Sequence, residues 1–316
     1  MKFKQILMIG YTEEDLKSED WKKIENLTDK KILLPKNSQE ISHYIATTDC
    51  LLVKLGATVD KATIDKAPNL RYVGMFGTGI GRIDGSYAAS KGIAVCNIAG
   101  YSTEGVAEFV FAAILEHTRE VERAKSQARK GDYSEASFQG TELKGKPFGI
   151  IGLGRIGSRV AGIAFNGFGT DVRYWSRTRK PDMEKIGIRY QEVEKLLAEC
   201  DFLSLHLEFN EQTKGFLNRK RIGNIKRGAA IVNFAPMELV DIEALAERLA
   251  EGDITFILDH SDELTAEQAN ELSKYKNCIL YPPIAYTTKE AKAIKQQMFV
   301  DNLANFLKGT PTDKVN

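Results

Sequence analysis

The sequence has no CxxC pair. Its four cysteines, Cys50, Cys96, Cys200 and Cys278, lie far apart. That spacing argues against a disulfide framework and reads as buried thiols in a reducing compartment. Histidine is as scarce, four in 316 residues, and neither an H-x-x-x-H pattern nor a Cys/His cluster occurs, so no metal is expected. No sign of charge dominates: 44 Lys and Arg against 43 Asp and Glu leave a net +1. This gives no electrostatic case for nucleic acid or an anionic membrane. No apolar stretch approaches membrane-spanning length, and the run Ile6–Ile9 is too short for the core of a signal peptide. A cytoplasmic protein is the expectation. There is no internal repeat and no low-complexity tract. What remains, 43% hydrophobic and 28% charged residues, describes an ordinary globular chain long enough for two domains.

The clearest positive signal is Phe148-Gly149-Ile150-Ile151-Gly152-Leu153-Gly154-Arg155-Ile156-Gly157. An apolar run with the character of a buried strand breaks into a glycine turn and then a helix-like stretch. Gly152, Gly154 and Gly157 have the G-x-G-x-x-G spacing: the first for the tight turn, the second for close approach to a pyrophosphate, the third for helix packing on strand. The helix N-terminus behind the turn offers free N–H groups to phosphates. A second strand, Asp171 to Trp175, follows, and this context gives the motif its weight.

Along the chain, apolar runs alternate with amphipathic ones. Residues 1 to about 99 carry candidate strands at Gln5–Ile9, Lys31–Leu34, Cys50–Val53, Arg71–Met75 and Ile93–Cys96, with helix-like stretches such as Glu13–Glu25 and Ile83–Ser90. A parallel sheet follows from that alternation. The segment Gly74 to Gly81 is either a plain strand-to-helix turn or a nest of N–H groups for a substrate carboxylate. One long helical pattern runs from Thr103 to about Lys130, capped by Ser102 or Thr103. Six further strands, Phe148–Ile151, Asp171–Trp175, Phe202–His206, Ala229–Asn233, Ile254–Leu258 and Cys278–Tyr281, predict a doubly wound dinucleotide-binding sheet. Thr288 to Lys308 is amphipathic and is expected to return to the first domain. The fold class is therefore α/β with two Rossmann-like domains and doubly wound parallel sheets. A flavodoxin-like substrate domain is assigned to residues 1–99 plus 286–316, and the NAD(P)-binding domain to residues 100–285.

An acidic residue about twenty positions after the glycine turn usually binds the ribose of NAD. Ser176 occupies that position, followed by Arg177-Thr178-Arg179-Lys180. Arginine matches phosphate geometry with a planar fork of donors. The loop favours NADP(H) over NAD(H); the other reading is a solvated basic loop.

With those motifs in order, the chain resembles the D-isomer-specific 2-hydroxyacid dehydrogenase family over nearly its full length. The resemblance rests on Phe76-Gly77-Thr78-Gly79, Val106-Ala107-Glu108, the Gly152–Gly157 turn, and Leu205-His206 with Thr213. It continues through Val232-Asn233-Phe234-Ala235 with Leu239-Val240-Asp241, and Ile257-Leu258-Asp259. The Ser-Arg-Thr-Arg loop is similar to that of NADP-preferring glyoxylate and hydroxypyruvate reductases. The resemblance implies a two-domain enzyme, usually a homodimer, that exchanges hydride between a nicotinamide and a 2-oxo or 2-hydroxy acid in an interdomain cleft. It also implies cofactor contacts from Gly152, Gly154, Arg155, Ile156, Gly157, Ser176, Arg177, Thr178, Arg179, His206, Thr213, Asn233, Phe234, Ala235 and Asp259.

That family employs an arginine on the substrate, a histidine that moves the proton and a glutamate paired with the histidine. The positions matching them here are Pro236, Pro283 and Leu264. Proline has neither an ionisable group nor an N–H. General acid–base work contributes roughly 10²–10⁴-fold, so ordinary 2-oxo acid reduction is expected to be weak or absent. The loop after Gly79 also departs, with Gly81 and Arg82, and Glu208 stands two residues after His206.

Replacements are available nearby. Tyr286, three residues after Pro283, is either a donor phenol or a packed ring. His260, after Asp259, either acts or merely caps a strand end. Glu263 stands one residue from the expected glutamate position. Lys54 and Arg82 are candidate anion holders, with Thr78 and Gly79 in the same substrate-facing group; for Lys54 a surface lysine is the alternative. His206 reads as structural, and His43 and His117 as surface or packing residues. Two functional readings follow. One is an NADP(H)-dependent oxidoreductase with a rebuilt site, acting on a substrate such as an imine or conjugated alkene. The other is a non-catalytic dinucleotide-binding sensor or partner-binding protein.

Overall fold

Five apolar runs of three or four residues build the first sheet: β1 (Ile6–Ile9), β2 (Lys31–Leu34), β3 (Cys50–Val53), β4 (Tyr72–Met75) and β5 (Ala94–Cys96). Four are almost wholly buried, the pattern of parallel strands covered on both faces. All neighbours pair in parallel, in the order β2-β1-β3-β4-β5. This is the flavodoxin-like order, and its direction of winding reverses between β1 and β3. The C-terminal helix Lys289–Leu307 belongs to the same unit and buries Phe299, Val300 and Leu303 against Tyr11, Leu52, Tyr72 and Phe76.

The computed structural model describes residues 1–54 and 56–316. They divide into two compact units, one of residues 1–101 with 289–316 and one of residues 102–288. The second unit carries β6 (Pro147–Ile151), β7 (Asp171–Trp175), β8 (Arg189–Tyr190), β9 (Phe202–Leu205), β10 (Ala230–Asn233), β11 (Thr255–Leu258) and β12 (Cys278–Leu280). The order is β8-β7-β6-β9-β10-β11-β12, all parallel. This sheet reverses between β6 and β9, so its crevice opens beside the glycine turn.

Several local expectations need correction. The second sheet has seven strands rather than six, because the two-residue β8 pairs at its edge with Arg173 and Tyr174. A strand that short has no alternation to read. The pattern from Thr103 to Lys130 forms two helices, Thr103–Arg119 and Val121–Arg129, broken where Glu120 turns left-handed at φ 48°. Neither glycine nor proline marks that break. Helix begins at Ser18 rather than Glu13, after a single 3₁₀ turn at Glu13–Asp15. It begins at Gly85 rather than Ile83, because Arg82–Ile83 pairs with Thr58–Val59 as a short bridge of sheet and Asp84 caps the helix through Tyr87 N–H. Among the described residues no helix is long and apolar enough to cross a membrane.

Candidate active site

The glycine turn follows β6 directly. Gly152 takes φ +97°, and a Cβ there would stand 2.5 Å from the carbonyl oxygen of His206. A Cβ on Gly157 would collide with the carbonyl oxygen of Gly152, which fixes how closely helix Arg155–Asn166 approaches the strand. Gly154 differs: nothing lies within 4 Å of where its Cβ would be. Two glycines are thus held by protein sterics and the third faces open space at a helix N-terminus, the arrangement a pyrophosphate needs. Arg155, the first residue of that helix, is exposed beside it, and Ile156 is half-buried in the core beneath.

The loop after β7 is more ordered than its basic character suggests. Ser176 is buried, and its hydroxyl donates to the Thr178 carbonyl at 2.6 Å. Arg179 is held by Glu184 through two bonds of 3.0 and 2.5 Å and lies 5.0 Å over the Tyr190 ring. This revises the picture of three free cations around a phosphate. Arg177 is exposed and pairs with no acid among the described residues.

At the ends of β9 and β10, side chains turn inward to support backbone. His206 lies 2.7 Å from the Ser204 hydroxyl, and burial takes its pKa down to about 3, so the ring is neutral. Thr213 donates to the Glu208 carbonyl at 2.7 Å. Asn233 accepts from Ala235 N–H at 3.2 Å and reaches the Met237 sulfur at 3.3 Å, with Phe234 and Ala235 buried around it.

The most informative geometry follows β11. Asp259 is 1% exposed; its Oδ2 accepts Ala285 N–H at 3.0 Å, while its Oδ1 has no hydrogen-bond partner among the described residues and lies 3.7 Å from His260 Nε2. A buried carboxylate oxygen with free acceptor capacity fits an amide donor such as a nicotinamide carboxamide. Next in sequence, His260 and Glu263 meet on one 3₁₀ turn, Nδ1 to Oε1 at 3.3 Å. The other Glu263 oxygen accepts Met237 N–H at 2.8 Å, across from the turn after β10. Ser261 donates to the Tyr281 carbonyl at 3.0 Å. Segment 281–285 is therefore tied down on both sides of His260, and Pro283 lies within it. Burial disfavours the charged form of His260, but Glu263, Asp259 and Asp262 outweigh it and raise its pKa above the ordinary value. For Glu263, burial is likewise outweighed by bonds from His260 and Met237, and its pKa falls. The result is a histidine–carboxylate pair in which each group favours the charged form of the other, beside a buried acceptor. Tyr286 stands apart from it, exposed, with no hydrogen bond among the described residues.

In the first unit, Tyr11, Lys54 and Phe76 follow the ends of β1, β3 and β4. Lys54 donates to Asp15 at 2.7 Å and lies 5.7 Å over the Tyr11 ring, so it is an ion-paired residue rather than a free surface lysine. The N–H groups of Gly77, Thr78 and Gly79 donate to no partner among the described residues. Thr78 is held instead through its carbonyl, which accepts from Asn97, and its hydroxyl, which donates to Ile98 at 3.4 Å. Arg82 is exposed on the short bridge to Thr58. Sequence reasoning missed Lys295, on the C-terminal helix, 4.2 Å over the Phe76 ring and 5.3 Å over Tyr101. Helical spacing marks it as one of many lysines; only tertiary packing singles it out. Sequence reasoning also named His260 and Glu263 separately without the bond that joins them.

Comparison with known proteins agrees with this construction. The model of the D-isomer specific 2-hydroxyacid dehydrogenase NAD binding domain matches residues 111–285. A glyoxylate reductase of Thermococcus litoralis is 35% identical over 282 residues, covering 86% of this chain and 85% of the relative. The D-lactate dehydrogenase of Aquifex aeolicus, solved with NAD and lactic acid, superposes with a TM-score of 0.84 at 27% identity, covering 96% of both chains. An acyclic imino acid reductase solved with NADPH and D-Arg gives 0.85 at 27% identity, covering 99% of this chain and 100% of the other. Fold, cofactor turn and overall similarity converge, and the chain belongs to the D-isomer-specific 2-hydroxyacid dehydrogenase family.

Proposed function

We propose that this chain is an NADP(H)-dependent reductase of carboxylate-bearing imines, with His260 as proton donor and Glu263 as its partner. Family membership supports the coarser statement, a nicotinamide-dependent oxidoreductase, and one relative in structure is an imino acid reductase solved with NADPH. The observation that carries the finer reading is the placement of Glu263. Its carboxylate holds the N–H of Met237, next to Pro236. An arginine after Ala235 would place positive charge there; this chain places an apolar ring and a negative charge instead. A developing cation is stabilised by that change and an anionic oxygen is not. A protonated imine is such a cation.

The residues that would hold the nucleotide are the Gly152–Gly157 turn with Arg155 at the pyrophosphate, Ser176 to Arg179 at the 2′-phosphate and Asp259 at the carboxamide. The bound cofactor supplies the hydride. His260 gives its proton to the imine nitrogen, Glu263 balances the charge on the imidazolium until then, and the neutral ring regains a proton from solvent. Hydride on carbon and proton on nitrogen complete an amine. Arg177, paired with no acid among the described residues, is the side chain that would favour the phosphorylated nucleotide.

The test follows NADPH absorbance with 2-oxo acids alone and with the imines they form with ammonia or small amines. Turnover of imines well above the 2-oxo acids is expected, with loss of about 10²-fold in kcat for His260→Asn. Equal turnover of the acids alone, or full activity in His260→Asn, overturns the assignment. Tight NADPH binding with no turnover of any compound makes the protein a sensor.

A further inference from the structure

We infer that Tyr174 is a positioning residue for the nucleotide: its buried hydroxyl ties down the loop of residues 176–180 and thereby sets the preference for the phosphorylated cofactor. The inference rests on the proposed use of NADP(H) and names a side chain that acts on it through Arg177.

Tyr174 is the fourth residue of β7 and lies wholly inside the core. A tyrosine there makes a demand that a phenylalanine does not, because its hydroxyl must find partners. It finds two. The phenol donates to Glu184 Oε1 at 2.7 Å and accepts the N–H of Lys180 at 2.7 Å. Its ring stands edge-on to Tyr190, its register partner on β8, with centroids 5.5 Å apart and planes at 80°. Arg179 lies over that same Tyr190 ring at 5.0 Å. The two-residue β8 therefore does more than extend the sheet: it brings up the ring that braces Tyr174 and Arg179 together.

Both bonds of the phenol act on the loop. Lys180 N–H is its last amide, since Pro181 follows and opens the short helix Pro181–Lys185. Glu184, on that helix, is the acid that also holds Arg179. Bonds from Arg179 and Tyr174 keep the Glu184 carboxyl below its ordinary pKa, so it stays an acceptor for both. At the start of the loop, Ser176 donates to the Thr178 carbonyl at 2.6 Å. The loop is thus tied from beneath at its start, at its end and through Arg179. Arg177 and Thr178 remain exposed, and neither side chain has a hydrogen bond among the described residues. Ordering a loose loop takes free energy from the ligand that orders it, and a loop ordered beforehand does not. A 2′-phosphate needs the guanidinium fork of Arg177 in one place, whereas a 2′-hydroxyl makes no such demand. The effect of the phenol therefore falls on NADPH and spares NADH.

Calorimetric titration of the full chain with NADPH and with NADH tests this in a double-mutant cycle. Tyr174→Phe keeps the packed ring and removes only the hydroxyl. It weakens NADPH about 5-fold, in the range of one hydrogen bond, and leaves NADH unchanged. In an Arg177→Ala background the same change has no further effect, because the group that the phenol positions is gone. Glu184→Gln keeps an acceptor for the phenol while releasing Arg179, and the preference for NADPH is not lowered. Equal weakening of both nucleotides in Tyr174→Phe makes the tyrosine a packing residue and overturns the inference. An additive cycle, or a preference lost in Glu184→Gln, overturns it as well. If the unmodified chain binds NADH as tightly as NADPH, the nucleotide reading fails and this inference falls with it. A preference present in the unmodified chain and undiminished in Tyr174→Phe defeats this inference alone. None of these measurements needs turnover, so the assignment of imine reduction stands or falls separately.

Discussion

Two turns at the carboxyl edge of the same sheet obey different rules. The turn after β6 is dictated by volume: a methyl group on Gly157 has nowhere to go, and Gly152 needs a left-handed backbone. The turn after β11 is dictated by charge: a carboxylate must reach His260 and Met237 N–H, and it does so from position 263. Steric demands pin a residue type to one place in the chain. Electrostatic demands pin a charge to one place in space, which different sequence positions can satisfy.

The widest separation between the turns comes from Gly157→Ala. The clash requires helix and strand to move apart; overpacking of this kind costs about 1–3 kcal/mol, and NADPH binding is expected to be lost entirely. A lowered unfolding midpoint together with absent nucleotide fluorescence enhancement checks it; normal binding would dissolve the contrast. Next in size is the charge turn. Reduction is expected to fall as pH rises through the raised pKa of His260, and Glu263→Gln moves that fall to lower pH while cutting kcat. The sign for stability agrees: the His260 contribution is full below its unfolded value of about 6.5 and is lost as pH climbs through the raised folded value, while that of Glu263 is lost at the acid end, as pH falls through its lowered value. A rate profile against pH for both proteins decides it, and identical profiles would show that Glu263 does not hold the proton. The smallest effect sharpens the nucleotide end. Arg177→Ala is expected to raise the KM for NADPH roughly 10-fold with NADH unaltered, the loss of one charge-assisted bond. Arg179→Ala, already committed to Glu184, changes it less. The reverse ranking would place the phosphate on the other arginine.

The same distinction explains what could be read from the chain alone. The glycine turn, the βα alternation and most strand positions are local patterns, and the structure bears them out. The break at Glu120 is not marked by any residue type, since nothing but its left-handed φ distinguishes it from its neighbours. The two-residue strands at Arg82 and Arg189 exist through partners distant in sequence. Arg179 looks free until Glu184 folds back on it, and Lys295 looks ordinary until Phe76 and Tyr101 close beneath it. For the two short strands and for Lys295 the deciding contact is tertiary; for Arg179 it is a partner five residues on.

The bond between Glu263 and Met237 N–H has one more consequence. It couples a side chain that carries charge to an amide of the chain, so that amide is a built-in gauge. Its exchange with solvent deuterium and its nitrogen resonance register whether the carboxylate is ionised, in the resting protein and before any compound has been added.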